Sequence, residues 1–332
     1  MRIKTLLMMG RARRSARAVG HQRKAIDLQW NLKCGARAAT RPASLIVEMA
    51  SSVLLLVLAL VLSGCDLSRH GSGPAPDVGI TAIPPLTTEA ATNQLQFLER
   101  IRHLPKTAAF ERRTFTRPNA PQEQLKYLLF KPKGFDAQRS YPLVLSLHGG
   151  APRHRFEDLV EPYLPGLAYG LGRFVSDDTQ DAHPCFLLAP WSDNTDWNKE
   201  KLVLVTGLID ALQKELRIDG KRIYVTGQSM GGWGTWSIIT QYPDRFAAAV
   251  PICGGGEPSE AARAKNIPIW AFHGTADGVV PVRYTRQMIS ALHRAGAAPL
   301  YWEYQGVDHS GTAERAYCEP DLIPWMFSKA KP

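Results

Sequence analysis

A serine hydroxyl attacks a carbonyl carbon only when a tight turn exposes it, a base takes its proton and nearby donors receive the charge that develops. Gly227-Gln228-Ser229-Met230-Gly231 has the G-x-S-x-G pattern of such a turn. It lies between Arg222-Ile223-Tyr224-Val225-Thr226, which reads as a strand, and the stretch Gly231 to Tyr242, which reads as a helix. That context separates a nucleophile from an ordinary glycine-rich turn, and it makes Ser229 the candidate nucleophile. Asp277 follows the apolar run Ile267 to Phe272, in His273-Gly274-Thr275-Ala276-Asp277-Gly278. His309 follows the run Leu300 to Tyr304, in Gly306-Val307-Asp308-His309-Ser310-Gly311. Taken singly, an Asp-Gly pair is a common turn and a loop histidine is usually solvated. Taken together, serine, acid and histidine leave three different strands in chain order. His309 would take the proton of Ser229 and return one to the leaving group, while Asp277 fixes the imidazole tautomer. Asp308 is a rival for the acid, but a residue adjacent to the histidine rarely has the geometry to face its ring.

A tetrahedral intermediate also needs two donors for its oxyanion. The backbone N–H of Met230, immediately after the nucleophile, is one candidate. The other should come from His148-Gly149-Gly150, where glycines let the backbone approach a substrate; Gly150 is the first choice and Ala151 the next.

The elements that must position these groups alternate short apolar runs with longer amphipathic segments, the pattern of an α/β domain. Strands are expected at Tyr141 to Leu147, Cys185 to Ala189, Ala247 to Ile252, Ile267 to Phe272 and Leu300 to Tyr304, and edge strands within Thr114 to Phe130. Helices are expected at residues 88 to 103, Lys199 to Leu216, Val282 to Ala295 and Asp321 to Lys329. This order predicts a doubly wound, mostly parallel sheet with helices on both faces, and ligands of such sheets gather beyond the C-terminal strand ends. Only Gly254 to Asn266 separates the strand after the nucleophile helix from the next, which leaves no room for a large lid. The cleft should be open, with Trp191, Trp197 and Trp233 available to stack on a sugar or aromatic group, although packing is an equal use for Trp233 on the nucleophile helix.

The 332 residues carry a formal net charge of +10, but residues 1 to 48 hold eleven Lys or Arg against Asp27 and Glu48. The excess therefore sits in a leader and not on a face of the domain, which argues against nucleic acid as a partner. Val53 to Leu62 is an apolar run too short for a stable membrane span and suited to the core of an export signal. Leu62-Ser63-Gly64-Cys65 resembles the lipobox of bacterial lipoproteins, in which Cys65 would be acylated. The alternative is an ordinary signal peptide, leaving a secreted or periplasmic protein. Residues 66 to about 85, rich in Gly, Pro, Ser and Thr, read as a tether. The expected organisation is leader and signal at 1–64, lipidated cysteine and tether at 65–87, and a catalytic domain at 88–332. Cys185, Cys253 and Cys318 would remain in the exported domain, an odd number that permits one disulfide without selecting the pair. None of their spacings suggests a zinc site, and no cofactor is expected.

The sequences around Ser229 (Gly227 to Trp236), Pro251-Ile252-Cys253-Gly254-Gly255-Gly256, Trp270-Ala271-Phe272-His273-Gly274 and Val307-Asp308-His309 resemble an esterase group. It includes polyhydroxybutyrate-depolymerase-like and feruloyl-esterase-like enzymes, and is related to dienelactone hydrolases and prolyl oligopeptidases. The resemblance covers about residues 120 to 330. It implies an α/β-hydrolase fold and hydrolysis of carboxylic esters, without a cofactor, on soluble or polymer-attached substrates. Such enzymes often carry a Trp shortly after the histidine, whereas Ser310-Gly311-Thr312 has none. A peptidase is the rival activity, though the segment before the domain is too short for a substrate-selecting propeller. A non-catalytic lipoprotein of the same fold is the rival from another class.

Overall fold

The computed structural model describes residues 81–83, 110–150, 168–193 and 195–332. All lie in one compact unit, Pro76–Pro332. Cys65, the apolar run before it and the expected helix at 88 to 103 fall outside the described residues.

Among the described residues nine strands form one sheet: β1 (Thr81–Ile83), β2 (Phe110–Arg117), β3 (Ala120–Phe130), β4 (Tyr141–Leu147), β5 (Phe186–Pro190), β6 (Ile218–Gln228), β7 (Ala248–Ile252), β8 (Trp270–Gly274) and β9 (Leu300–Tyr304). Their spatial order is β1-β9-β8-β7-β6-β4-β5-β3-β2. The pairs from β1 through β5 are parallel, and β3 joins β5 and β2 antiparallel. Thr81–Ile83, within the stretch expected to be tether, form the edge strand beside β9.

Successive side chains of β4 enter opposite layers, as the period of two requires. Leu143, Leu145 and Leu147 join one apolar cluster with Val205, Leu208 and Leu212 of α3 (Lys199–Glu215), Trp236 and Ile239 of α4 (Met230–Gln241), and Met288 and Leu292 of α5 (Arg283–Arg294). Val144 points the other way, to a cluster containing Phe174 of α1 (Ala168–Val175), Ala316 and Tyr317 of α6 (His309–Cys318), and Leu322 and Met326 of α7 (Leu322–Phe327). A short α2 (Asp177–Ala182) follows α1. Helices thus cover both faces of a mostly parallel sheet, which explains why its central strands are apolar throughout.

The sheet also sets the positions of the chemical groups. β6 ends at Gln228, β8 at Gly274 and β9 at Tyr304, so Ser229, Asp277 and His309 all emerge at the same C-terminal end of parallel strands. Between β7 and β8 the chain makes one 3-10 helix, Pro258–Ala264, and no larger insertion.

Candidate active site

Ser229 sits at φ 55° and ψ −120°, between the last residue of β6 and the first of α4. A non-glycine residue in that conformation stores strain of about 1–3 kcal/mol, and such strain persists only where its surroundings over-determine it. Here the Ser229 amide donates to Ile252 O at 2.9 Å, and Ser229 O accepts from the Trp233 amide at 3.0 Å. Gly231 makes the turn possible: a Cβ at that position would lie 1.8 Å from Leu147 O. The start of α4 is therefore pressed against the end of β4, and the loop carrying Gly149 follows directly. A Cβ at Gly149 would stand 3.6 Å from the Ser229 Cβ, so this loop runs beside the serine. Gly150 is exposed next to it, and Ala151 lies outside the described residues. Met230 opens α4, where the first amides of a helix have no carbonyl partner within it.

The loop is anchored by His148, which is 3 % exposed. Its Nε2 accepts from the Ser192 amide at 3.1 Å, so the ring proton belongs on Nδ1, which donates to Gly149 O at 2.7 Å. Burial pushes its pKa down to about 4. Trp191 stacks on the ring with centroids 4.5 Å apart, and Trp197 meets it edge-on at 5.1 Å while donating Nε1–H to His148 O at 3.0 Å. Both tryptophans are buried, at 3 % and 4 % exposure, and they hold this loop instead of lining an open cleft. Trp233 is half-buried and packs against Tyr284.

Asp277 is buried and accepts three hydrogen bonds. Its Oδ1 takes the amides of Val279 at 2.9 Å and Val280 at 2.8 Å. Oδ2 takes His309 Nδ1–H at 2.6 Å; His273 Nε2 lies 3.2 Å from it and meets Val280 O at 2.8 Å. Asp277 is thus both the pivot of an Asp-Gly turn and the partner of the histidine. Burial works against its charge, but the neighbouring His273 and the hydrogen bond from His309, together with the positive end of His309 and the Val280 amide, hold its pKa well below the carboxylate range. With the proton of a neutral His309 placed on Nδ1, the Nε2 lone pair is free to act as a base.

His309 is the first residue of α6, and Asp308 is the cap of that helix, its Oδ1 accepting the Gly311 amide at 2.8 Å. Asp308 is exposed and engaged in capping, which excludes it as the acid. The Asp277 and His309 loops are tied by Thr275 N to Tyr304 O at 3.0 Å, Ala276 N to Val307 O at 3.1 Å and Gly306 N to Thr275 Oγ1 at 2.8 Å. Behind them Arg286 of α5 grips Glu303 of β9 through two hydrogen bonds of 2.7 and 2.6 Å, and Tyr301 adds a third at 2.7 Å.

Two site residues escaped sequence reasoning. His273, fully buried, lies within the quoted His-Gly-Thr-Ala-Asp run, and its Nδ1 is 2.7 Å from Thr285 Oγ1, which donates to Gly254 O at 2.6 Å. Cys253, at the end of β7, places its thiol 3.6 Å from His309 O and opposite the Ser229 amide, with φ 39°. No disulfide joins Cys185, Cys253 or Cys318 among the described residues.

The sheet order and the helices on both of its faces define an α/β-hydrolase fold. Residues 191–321 match the model of the dienelactone hydrolase family. A solved thermostable esterase superposes with a TM-score of 0.61 and 36 % identity, over 68 % of this chain and 64 % of that one. A bifunctional acetylxylan esterase/xylanase of Neocallimastix patriciarum is 40 % identical over 77 residues, 23 % of this chain and 11 % of that protein. A protein of Aspergillus terreus described as "Probable feruloyl esterase C" is 27 % identical over 160 residues, 47 % of this chain and 56 % of that protein. These curated relatives are matched over little more than half of their length at most. The chain has the α/β-hydrolase fold and is similar to esterases built on it.

Proposed function

We propose that this protein hydrolyses carboxylic esters through an acyl-enzyme on Ser229. The observation that carries the reading is the 2.6 Å hydrogen bond from His309 to a buried Asp277, at the strand end beside a serine held in a strained turn. In this mechanism His309 Nε2 removes the Ser229 proton as Oγ attacks the ester carbonyl. The amides of Met230 and Gly150 receive the oxyanion, a role in which each donor contributes about 3 kcal/mol. His309 then gives its proton to the departing alcohol, and water repeats the sequence to free the acid. Asp277 holds the tautomer and offsets the charge of the imidazolium.

Relatives named for acetylxylan and feruloyl esters support polymer-attached esters as the substrates. The short β7–β8 connection, without a large lid, suits such bulky groups, and Trp233 is the remaining aromatic candidate to contact them. The leader and Leu62-Ser63-Gly64-Cys65 support export to a bacterial cell envelope with a lipid on Cys65. Among the described residues no helix is long and apolar enough to cross a membrane.

Turnover of p-nitrophenyl acetate, feruloylated and acetylated xylan fragments, and hydroxyalkanoate oligomers by wild type and Ser229→Ala tests the activity. Hydrolysis of at least one ester by wild type, lost in the variant, is expected; equal rates for the two proteins contradict the proposal. Intact-mass measurement of membrane-extracted protein should find an acylated Cys65 as the first residue, and an unmodified chain beginning elsewhere contradicts the anchor.

A further inference from the structure

Cys253, Asp277 and His309 are far apart in sequence, yet each offers a ligand atom within 4.8 Å of the other two. We infer that this cluster is a binding site for a soft divalent cation, of the zinc and cadmium class, and that occupancy switches the esterase off. Thiol, imidazole and a single carboxylate form a donor set that suits these ions and disfavours magnesium or calcium, which take oxygen ligands. Three protein ligands leave a fourth tetrahedral position for solvent, and His309, one-fifth exposed, gives the ion a route from the cleft.

The geometry needs little rearrangement. Bond lengths of about 2.0–2.3 Å place tetrahedral ligands roughly 3.3–3.6 Å apart. The 2.6 Å His309–Asp277 pair must widen by about 0.7 Å, and the Cys253 sulfur must close by about 1 Å from the upper limit of its present separation. Rotation about χ1 of His309 and Cys253 supplies displacements of that size. The thiol, which now donates to His309 O, releases its proton to solvent as the metal–sulfur bond forms, and the His309 Nδ1 proton shifts to Nε2 as Nδ1 takes the metal. Removal of the Asp277–His309 hydrogen bond takes the base from Ser229, so the inhibitory consequence rests on the proposed function, while the binding does not.

Cadmium titration reads the two separately. The thiolate-to-cadmium charge-transfer band in the ultraviolet reports binding, and ester turnover reports inhibition. Wild type should develop the band at one ion per chain and lose turnover in parallel, with EDTA restoring both. Cys253→Ala should lose the band and need at least tenfold more cadmium for half inhibition, whereas Cys318→Ala should behave like wild type. Cys253→Ser serves the same purpose if the alanine variant does not fold. No band in wild type, or a band and inhibition unchanged in the Cys253 variants, overturns the inference. A band without any turnover in metal-free protein would leave the metal site standing and contradict the esterase reading instead.

Discussion

His148 provides a stability test that depends on one buried proton. Its ring accepts from the Ser192 amide and donates to Gly149, so the native structure suits the neutral tautomer, and a proton on Nε2 would face that amide N–H. Burial pushes its folded pKa down to about 4, from the ordinary histidine value of about 6.5. The unfolded chain therefore binds this proton more readily, and stability falls as pH drops from about 7, levelling off below pH 4. The whole depression corresponds to roughly 3 kcal/mol, and about 2 kcal/mol of that is lost by pH 5. Asp277 acts in the same sense but in a lower window: its depressed pKa stabilises the fold above about pH 4, and that contribution is lost only as pH falls further. The two windows are separable. Urea unfolding of the domain at pH 7.5 and 5, compared between wild type and His148→Gln, isolates the first. Wild type should lose about 2 kcal/mol more than the variant over that interval. Parallel losses in the two proteins would refute the assignment of a buried neutral His148.

Other perturbations reach different parts of the site. Asp277→Asn presents an amide N–H to His309 Nδ1 and favours the wrong tautomer, so kcat for ester hydrolysis should fall by about 10⁴ while KM changes little; a loss under tenfold contradicts the role of Asp277. Arg286→Met leaves Glu303, 2 % exposed, with only Tyr301 as a partner. It should cost about 2 kcal/mol in chemical denaturation, below the value for wholly buried pairs because Arg286 is 41 % exposed; an unchanged midpoint contradicts this. Gly231→Ala, placing a methyl 1.8 Å from Leu147 O, should lower stability by at least about 3 kcal/mol, or prevent soluble expression. A thermal midpoint within a few degrees of wild type contradicts the close contact.

Much of the frame is legible in residue patterns because the central strands are apolar runs bounded by glycine and polar loops. Tyr141 to Leu147 and Leu300 to Tyr304 form strands with the expected ends. β8 starts at Trp270, three residues later than its apolar run, and Ile269 makes only an isolated bridge to Ala249. Pro268, which has no amide hydrogen to give a ladder, sits in the omitted part. The helix beginning at His309 has little local sequence signal, since Gly311 and Thr312 are poor helix formers. It forms because Asp308 caps it and Ala313, Ala316 and Tyr317 bury its inner face. α1 and α2 lie between β4 and β5, where the residue pattern predicts no element.

The candidate site was legible in part for a similar reason. Ser229, Asp277 and His309 each follow a strand, and chain order groups them. The burial of Trp191 and Trp197 was not legible, because an aromatic ring after a strand can face a cleft or fold back onto a loop, and His148 decides which. Cys253 and His309, 56 residues apart, have no shared local pattern, so only the sheet reveals their contact.

The central claim is that Ser229 is the nucleophile. Treatment of the purified protein with a fluorophosphonate, followed by digestion and peptide mass mapping, tests it directly. The account predicts one stoichiometric adduct on Ser229, full loss of ester turnover in proportion to labelling, and no adduct in Ser229→Ala. An unlabelled wild-type protein, or an adduct on another residue that survives in Ser229→Ala, would contradict it.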